Sequence, residues 1–164
     1  MLFQATHKTP IGELFLVSDE HILLGAGFRN FKDLFTRMDI ADQKREVKSL
    51  KSIPIISELI KDYFDGDLPA LGGIKVRQPG AEFSQEVWKA MRKIPVGKTW
   101  SYSDLAGRAG SPNAVRAAGT ACARNLIAPI VPCHRVVKTG GALGNYGYGL
   151  DVKDWLLRHE GALK

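Results

Sequence analysis

Between residues 101 and 124 the chain carries two short helical signatures separated by a glycine, and this stretch restricts the fold more than any other. Ser101-Tyr102-Ser103-Asp104 has the spacing of a capping box, predicting a helix to about Ala109. Gly110 suits the left-handed position that ends a helix. Ser111-Pro112 then sets an N-cap directly before a proline at the first helical position, predicting a second helix from Pro112 to Arg124. Two short helices joined by a glycine-containing turn form a helix-turn-helix, whose second helix lies against DNA. That second helix is built almost wholly of small residues: Ala114, Ala117, Ala118, Gly119, Ala121, Cys122 and Ala123. Arg116, Thr120 and Arg124 recur every four positions and share a face. A surface of this kind serves either tight helix–helix packing or close approach of backbone to a partner.

Upstream, residues 2–7 and 13–18 read as strands around the turn residues Pro10 and Gly12, and Asp19-Glu20 leads into an apolar run from Ile22 to Phe28. Residues 30–50 are charged and weakly patterned, with part of the segment expected to be helical. Ile53, Ile56, Leu59, Ile60 and Tyr63 fall at helical spacing, predicting a helix from Ser52 to Phe64 with Ser52 as N-cap and Pro54 in its first turn. Asp65-Gly66-Asp67-Leu68-Pro69 stops it. No polar cluster in residues 1–70 suggests chemistry, so this part reads as scaffold. Leu71-Gly72-Gly73 and Gln78-Pro79-Gly80 bracket a short strand, Ile74 to Val76, and mark a linker. A helix from Phe83-Ser84 to about Lys93 turns Val87, Trp88 and Met91 to a core, and Ile94-Pro95-Val96-Gly97 ends it. The expected class is α+β. Residues 1–78 form a small N-terminal α/β domain of antiparallel strands plus helix, and residues 79–164 form a helix-turn-helix domain.

Charge separates the two halves. Residues 1–78 carry 11 of the 23 Lys+Arg and 11 of the 17 Asp+Glu, so the whole net charge of +6 lies in residues 79–164. Such asymmetry marks either a solvated basic face or a polyanion-binding domain. Cys122 and Cys133 are the only cysteines, too few for a disulfide scaffold, which points to a reducing cytosol. With no Cys-x-x-Cys pair and the four histidines scattered, no metal site is expected. No apolar run reaches the length of a membrane span and the N-terminus lacks signal-peptide features.

Within the basic half, Pro129-Ile130-Val131-Pro132-Cys133-His134-Arg135-Val136-Val137 presents a cysteine, a histidine and an arginine in succession. Thiolate is the reactive form of cysteine, and imidazole or cationic neighbours lower a thiol pKa from about 8.5. An apolar flank also suits a buried structural cysteine, so the neighbours must decide. Lys138-Thr139-Gly140-Gly141 reads as a turn and Gly144-Asn145-Tyr146-Gly147-Tyr148-Gly149 as an adaptable Gly/Tyr loop. Its spacing is not that of a dinucleotide fingerprint. Asp151 is expected to cap a last helix with Trp155, Leu156 and Leu157 on its apolar side, closed by His159-Glu160-Gly161. Glu160 there sits at the unfavourable end of the helix dipole.

These motifs resemble the O6-alkylguanine-DNA alkyltransferase family, also called methylated-DNA–protein-cysteine methyltransferases. The carrying residues are Ile94 to Gly97, Ser101-Tyr102, Ala114 to Ala117, Asn125, Pro132 to Val136, Gly144 to Tyr146 and Trp155 to Gly161. The resemblance covers nearly all of residues 83–161; residues 1–70 match only in size and general pattern. It implies a winged-helix-like C-terminal domain, no cofactor, and double-stranded DNA containing O6-alkylguanine as partner, bound by a monomer or cooperatively. The implied reaction flips the damaged base into a pocket, where Cys133 takes the alkyl group once and irreversibly, with O4-alkylthymine as a further substrate. His134 would deprotonate Cys133 through a water and Glu160 would orient His134. Asn125 would support the reactive turn, Arg116 would fill the gap left in the stack, and Tyr102 would press on the phosphate and donate to the leaving guanine. Ser111 and Thr139 would contact phosphates. Cys122, Val136, Tyr146, Gly147 and Tyr148 would line the pocket, with Tyr148 standing where the family often has glycine.

Three other readings compete. A lesion-binding protein without transfer would bind alkylated DNA and form no covalent product. A Cys-His hydrolase would turn over a thioester or amide but leaves the basic half unexplained. A helix-turn-helix regulator would bind one defined sequence.

Overall fold

The first three strands form because Pro10 and Gly12 allow a reversal and the flanking residues alternate. In the computed structural model, which describes residues 1–164, β1 (Leu2–Thr9) pairs antiparallel with β2 (Gly12–Asp19), and β2 pairs antiparallel with β3 (Ile22–Gly27). Gly12 opens β2 with φ of 116°, a conformation that favours glycine. A register shift between Val17 and Ser18 marks a bulge. The sheet is not wholly antiparallel. β4 (Val47–Ser49) adds parallel to β1, and β5 (Lys75–Val76) adds parallel to β3, giving the order β4-β1-β2-β3-β5. Such short edge strands carry little periodic signal, and β4 lies in the stretch that alternation left unassigned.

Side-chain caps start the two helices of that stretch. Asn30 accepts from the Asp33 amide at 2.7 Å ahead of α1 (Phe31–Arg37), and Asp39 accepts from the Ala41 amide at 2.9 Å ahead of α2 (Ile40–Gln43). The next helix, α3 (Ile56–Phe64), begins three residues later than Ser52 as cap would require. Pro54 disfavours helical backbone at Ile53, and Ile55 adopts φ of 71°. Ser57 instead supplies the local side-chain bond, its Oγ accepting from the Ile53 amide at 2.8 Å. Gly66, at φ of 114°, follows the helix, and a 3₁₀ stretch at Leu68–Gly73 leads to β5.

In the basic half, α4 (Glu82–Met91) buries Val87, Trp88, Ala90 and Met91. The Trp88 indole N–H donates to the Ala121 carbonyl at 2.9 Å, so this stripe is core. The capping box of α5 (Tyr102–Arg108) is complete in both directions, with Ser101 Oγ accepting from the Asp104 amide at 3.0 Å. Gly110 follows at φ of 96°. The second helix of the pair, α6 (Val115–Arg124), starts later than Pro112 because Ser111-Pro112-Asn113-Ala114 forms a turn. There the Ala114 amide donates to the Ser111 carbonyl at 2.9 Å, and Ser111 is not the N-cap. Two-residue strands β6 (Trp100–Ser101) and β7 (Val136–Val137) pair in parallel. The last helix, α7 (Leu150–His159), is preceded by Gly149 at φ of 102°, and Asp151 lies inside its first turn instead of capping it.

Two compact units result. The first comprises Met1–Pro79 together with Leu126–Ile130, and the second Gly80–Asn125 with Val131–Lys164. Residues 126–130 join the first because backbone bonds link Ala26 to Leu126 at 2.9 Å and Ala128 to Ala26 at 3.1 Å, while Gln78 accepts from the Leu126 amide at 2.8 Å. No helix is long and apolar enough to cross a membrane.

Candidate active site

The reactive-looking cysteine sits on a tight 3₁₀ turn, Cys133–Arg135, directly before β7. Backbone bonds from Cys133 N to Val131 O at 2.9 Å and from Arg135 N to Pro132 O at 3.0 Å close the turn. Asn125, buried at the C-cap of α6, reaches across to it. Its Nδ2 donates to the Val131 carbonyl at 2.7 Å and to Cys133 Sγ at 3.4 Å. An N–H aimed at sulfur favours the thiolate over the thiol. One amide thus holds the turn and touches its nucleophile.

Behind the thiol lies a buried polar row. His134 Nε2 is 2.8 Å from Glu160 Oε2. Glu160 also receives Arg135, with Nε to Oε1 at 2.7 Å and Nη2 to Oε2 at 3.1 Å, and Arg135 Nη1 donates to the Ile94 carbonyl at 3.0 Å. Burial lowers the His134 pKa, with Glu160 opposing, and favours the neutral ring. Burial works against the Glu160 charge, but His134 and Arg135 overcome it and hold the carboxyl well below the usual carboxylate range. Assigned from the carboxylate contact, the neutral tautomer donates Nε2–H to Glu160 and leaves a lone pair on Nδ1, which is buried without a hydrogen-bond partner. A base held by a carboxylate, with its second nitrogen free to accept a proton, is the arrangement that activates a thiol.

Both shifts make the protein acid-sensitive. The unfolded state takes up protons that the folded His134 and Glu160 refuse, so stability falls as pH drops. The loss should begin as pH passes about 6.5, where unfolded histidine titrates, and deepen below about 4.3, where unfolded glutamate does. Thermal melts from pH 8 to pH 4 check this; a midpoint that does not fall on acidification contradicts it.

Tyr102, at the start of α5, stands beside both cysteines. Burial, then Cys122 and Cys133, raise its pKa and keep the phenol protonated as a donor. The backbone amide of Asn145 works the other way, favouring the ionised form, but is outweighed. Gly144, at φ of 76°, passes so close that a Cβ there would meet the Tyr102 Oη at 3.2 Å. Any other residue at this position would be strained by the positive φ and would crowd Tyr102. Beyond it, Tyr146 and Tyr148 meet edge to face with centroids 5.7 Å apart and buried hydroxyls. Burial and Cys133 push the Cys122 thiol far up, so Cys122 stays protonated and does not compete as nucleophile. Val136 is buried on β7, and Gly147 is exposed in the loop. Of the remaining sequence-derived residues, Arg116 is exposed on α6 with Thr120 and Arg124, Ser111 is part-exposed in the inter-helix turn, and Thr139 is exposed after β7.

Two residues escaped the sequence reading. Arg135 was visible only as part of the Cys-His-Arg run, without its ion pair to Glu160. Lys153 is fully buried and donates to three backbone carbonyls. A signal existed for it: Lys153 precedes Leu156, Leu157 and Glu160 by three, four and seven residues, the spacing of one buried helix face.

Comparison with known proteins accords with this geometry. The family described as 6-O-methylguanine DNA methyltransferase, DNA binding domain, matches residues 82–162, which contain every site residue above. The methylated-DNA–protein-cysteine methyltransferase of Salmonella typhimurium is 37% identical over 166 residues, covering 99% of this chain and 97% of the relative. The chain belongs to the methylated-DNA–protein-cysteine methyltransferase family. The methyltransferase of the same name from Methanosarcina acetivorans is 37% identical over 161 residues, covering 98% and 99% of the two chains. Among solved structures, Mycobacterium tuberculosis OGT in complex with DNA superposes with a TM-score of 0.81 at 31% identity, covering 98% of this chain and 93% of that one. Membership of the methyltransferase family extends over the N-terminal unit too, although its sequence carried no motif of its own.

Proposed function

We propose that this methyltransferase repairs DNA by direct reversal, taking the alkyl group from O6-alkylguanine onto Cys133. The observation that carries the reading is a thiol touched by Asn125 and followed by a buried His134–Glu160–Arg135 row, on a domain with a helix-turn-helix pair and the whole positive charge excess. In a duplex the O6 substituent is stacked away from any side chain, so the nucleotide rotates out into the site. The exposed, small-residue face of α6 suits close approach to the duplex, and Arg116 on it takes the space the base vacates. Ser111 and Thr139 contact phosphates.

Chemistry then needs one displacement. His134 accepts the thiol proton, relayed by water, and Glu160 compensates the charge that forms on the ring. Cys133 Sγ attacks the alkyl carbon; a C–S bond forms as the C–O6 bond breaks, and its electron pair leaves on the guanine. Tyr102 donates a proton or hydrogen bond to that leaving base. A thioether has no easy exit, so each molecule acts once. O4-alkylthymine presents the same alkyl carbon to the thiolate. The N-terminal unit serves as scaffold and the unit of residues 80–125 and 131–164 carries the reaction, in a protein acting as a monomer in the cytosol.

The test is intact mass spectrometry after mixing the protein with a duplex bearing one O6-methylguanine. One methylene unit should be gained, mapped to Cys133 and saturating at one per protein. Lesion binding with no mass gain would leave the protein a damage sensor.

Pocket size adds a prediction. Tyr148 packs on Tyr146 in the loop that passes Tyr102, so bulky O6 substituents should transfer more slowly than methyl. Tyr148→Gly should raise the benzyl rate about tenfold, the relief of roughly 1.4 kcal/mol of crowding, and leave methyl transfer nearly unchanged. Single-turnover rates for both lesions check it, and an unchanged benzyl rate contradicts it.

A further inference from the structure

A buried ammonium is costly, and Lys153 is 0% exposed and donates to backbone carbonyls, not to a carboxylate. Removing such an ion from water costs several kcal/mol. A methionine would pack this face of α7 at no such cost. What the charge secures is three carbonyls: Val136 at 2.6 Å, Leu143 at 2.5 Å and Asn145 at 3.3 Å. An ammonium has three N–H donors, one for each. Val136 belongs to β7, immediately after the Cys-His-Arg turn, whereas Leu143 and Asn145 flank Gly144 in the Gly/Tyr loop.

That loop needs an external tie. Residues 142–146 form no helix or strand, and glycines at 140, 141, 144 and 149 all adopt positive φ, so the backbone has many conformations available in the absence of a restraint. Its position matters because Gly144 passes over Tyr102, where a Cβ would lie 3.2 Å from the phenol oxygen and 3.4 Å from the ring. We propose that Lys153 is a positioning residue for the base pocket: its ammonium fastens the Leu143–Asn145 segment to Val136 and so holds the Gly/Tyr loop against Tyr102 in the arrangement that receives the flipped guanine. The inference rests on the alkyl-transfer reading and names the group that assembles its pocket.

The Lys153 charge also interacts with Cys133 and Cys122, so it has a second target, the thiol itself. The experiment separates the two. Wild type, Lys153→Met and Lys153→Gln are compared in three measurements: affinity for a duplex bearing one O6-methylguanine, limiting single-turnover transfer rate at saturating duplex, and iodoacetamide labelling of Cys133 against pH. Loop positioning predicts duplex affinity within about twofold of wild type and an unmoved labelling midpoint. The limiting transfer rate should fall about tenfold to a hundredfold, as expected when a pocket group is displaced by an ångström or so. The glutamine variant, which keeps two N–H donors, should lose less than methionine. Wild-type transfer in the same assay establishes the underlying reading independently. Given that, an unchanged limiting rate in Lys153→Met overturns the proposal, and so does a loss accompanied by an upward-moved labelling midpoint, which would assign Lys153 to the thiol. Should the methionine variant not fold, the glutamine variant and amide exchange in the wild type decide. Protection of the Asn145 amide close to that of β7 supports the tie, and exchange at open-loop rates overturns it.

Discussion

Cys133→Ser should bind a lesion-bearing duplex as tightly as the wild type and return the lesion unaltered. Serine keeps the shape of the turn and still accepts from Asn125 Nδ2, so the 3₁₀ turn and the helix-turn-helix pair have no reason to move. Duplex affinity comes mainly from phosphate contacts that do not involve the thiol, and it should fall with rising salt in both proteins. The hydroxyl, however, is a far weaker nucleophile near neutral pH. Neither Asn125 nor a histidine with a lowered pKa can ionise it as they do a thiol. The expected transfer is none within the hours over which the wild type goes to completion, read as residual O6-methylguanine by digestion and mass spectrometry. Consumption of the lesion by the serine variant would move the nucleophile elsewhere. Cys122 is a poor substitute, since its thiol is held protonated.

Glu160→Gln should cost both stability and activity. The change keeps the side chain's size but removes the charge that Arg135 grips with two bonds and that anchors His134 Nε2. Arg135 cannot lose its proton, so a buried cation would remain without a counter-charge. Breaking a buried pair in this way costs about 3–5 kcal/mol. For the 164-residue chain that corresponds to a fall in melting temperature of about 10 °C or more. Transfer should slow by about 10²-fold or more, because the imidazolium formed during thiol deprotonation loses its compensating carboxylate. Both readouts are needed. A melting temperature within a degree or two of wild type would show that the row is not a structural keystone. A wild-type transfer rate in the folded variant would show that His134 does not need Glu160.

Legibility followed the range of the interactions involved. The capping box at Ser101 and Asp104 was readable because both partners lie within one helical turn. The β1–β2 hairpin was readable because Pro10 and Gly12 force a local reversal. Where competing local rules met, the reading slipped. Ser52 and Ser111 both look like N-caps, yet Pro54 with Ile55 delays α3 until Ile56, and the 111–114 turn delays α6 until Val115. Asp151 was read as a cap, but Gly149 at positive φ already supplies the sharp entry into α7. The short strands β4 and β5 are defined by their partners' edges and carry almost no pattern of their own.

The family could be read from the chain itself, because Cys133, His134, Asn125, Tyr102 and Glu160, the residues to which the proposed chemistry falls, occur in a specific order and spacing. Folding decided how they serve one another. That Glu160 is shared between His134 and Arg135, that a buried Lys153 binds three carbonyls, and that residues 126–130 pair with β3 are contacts between segments distant in sequence. Periodicity reports only which face of an element is buried, and the energy of a charge depends on what lies across the core from it. Lysine 153 and glutamate 160 are ordinary helix residues in the sequence; burial beside particular partners makes them part of the site.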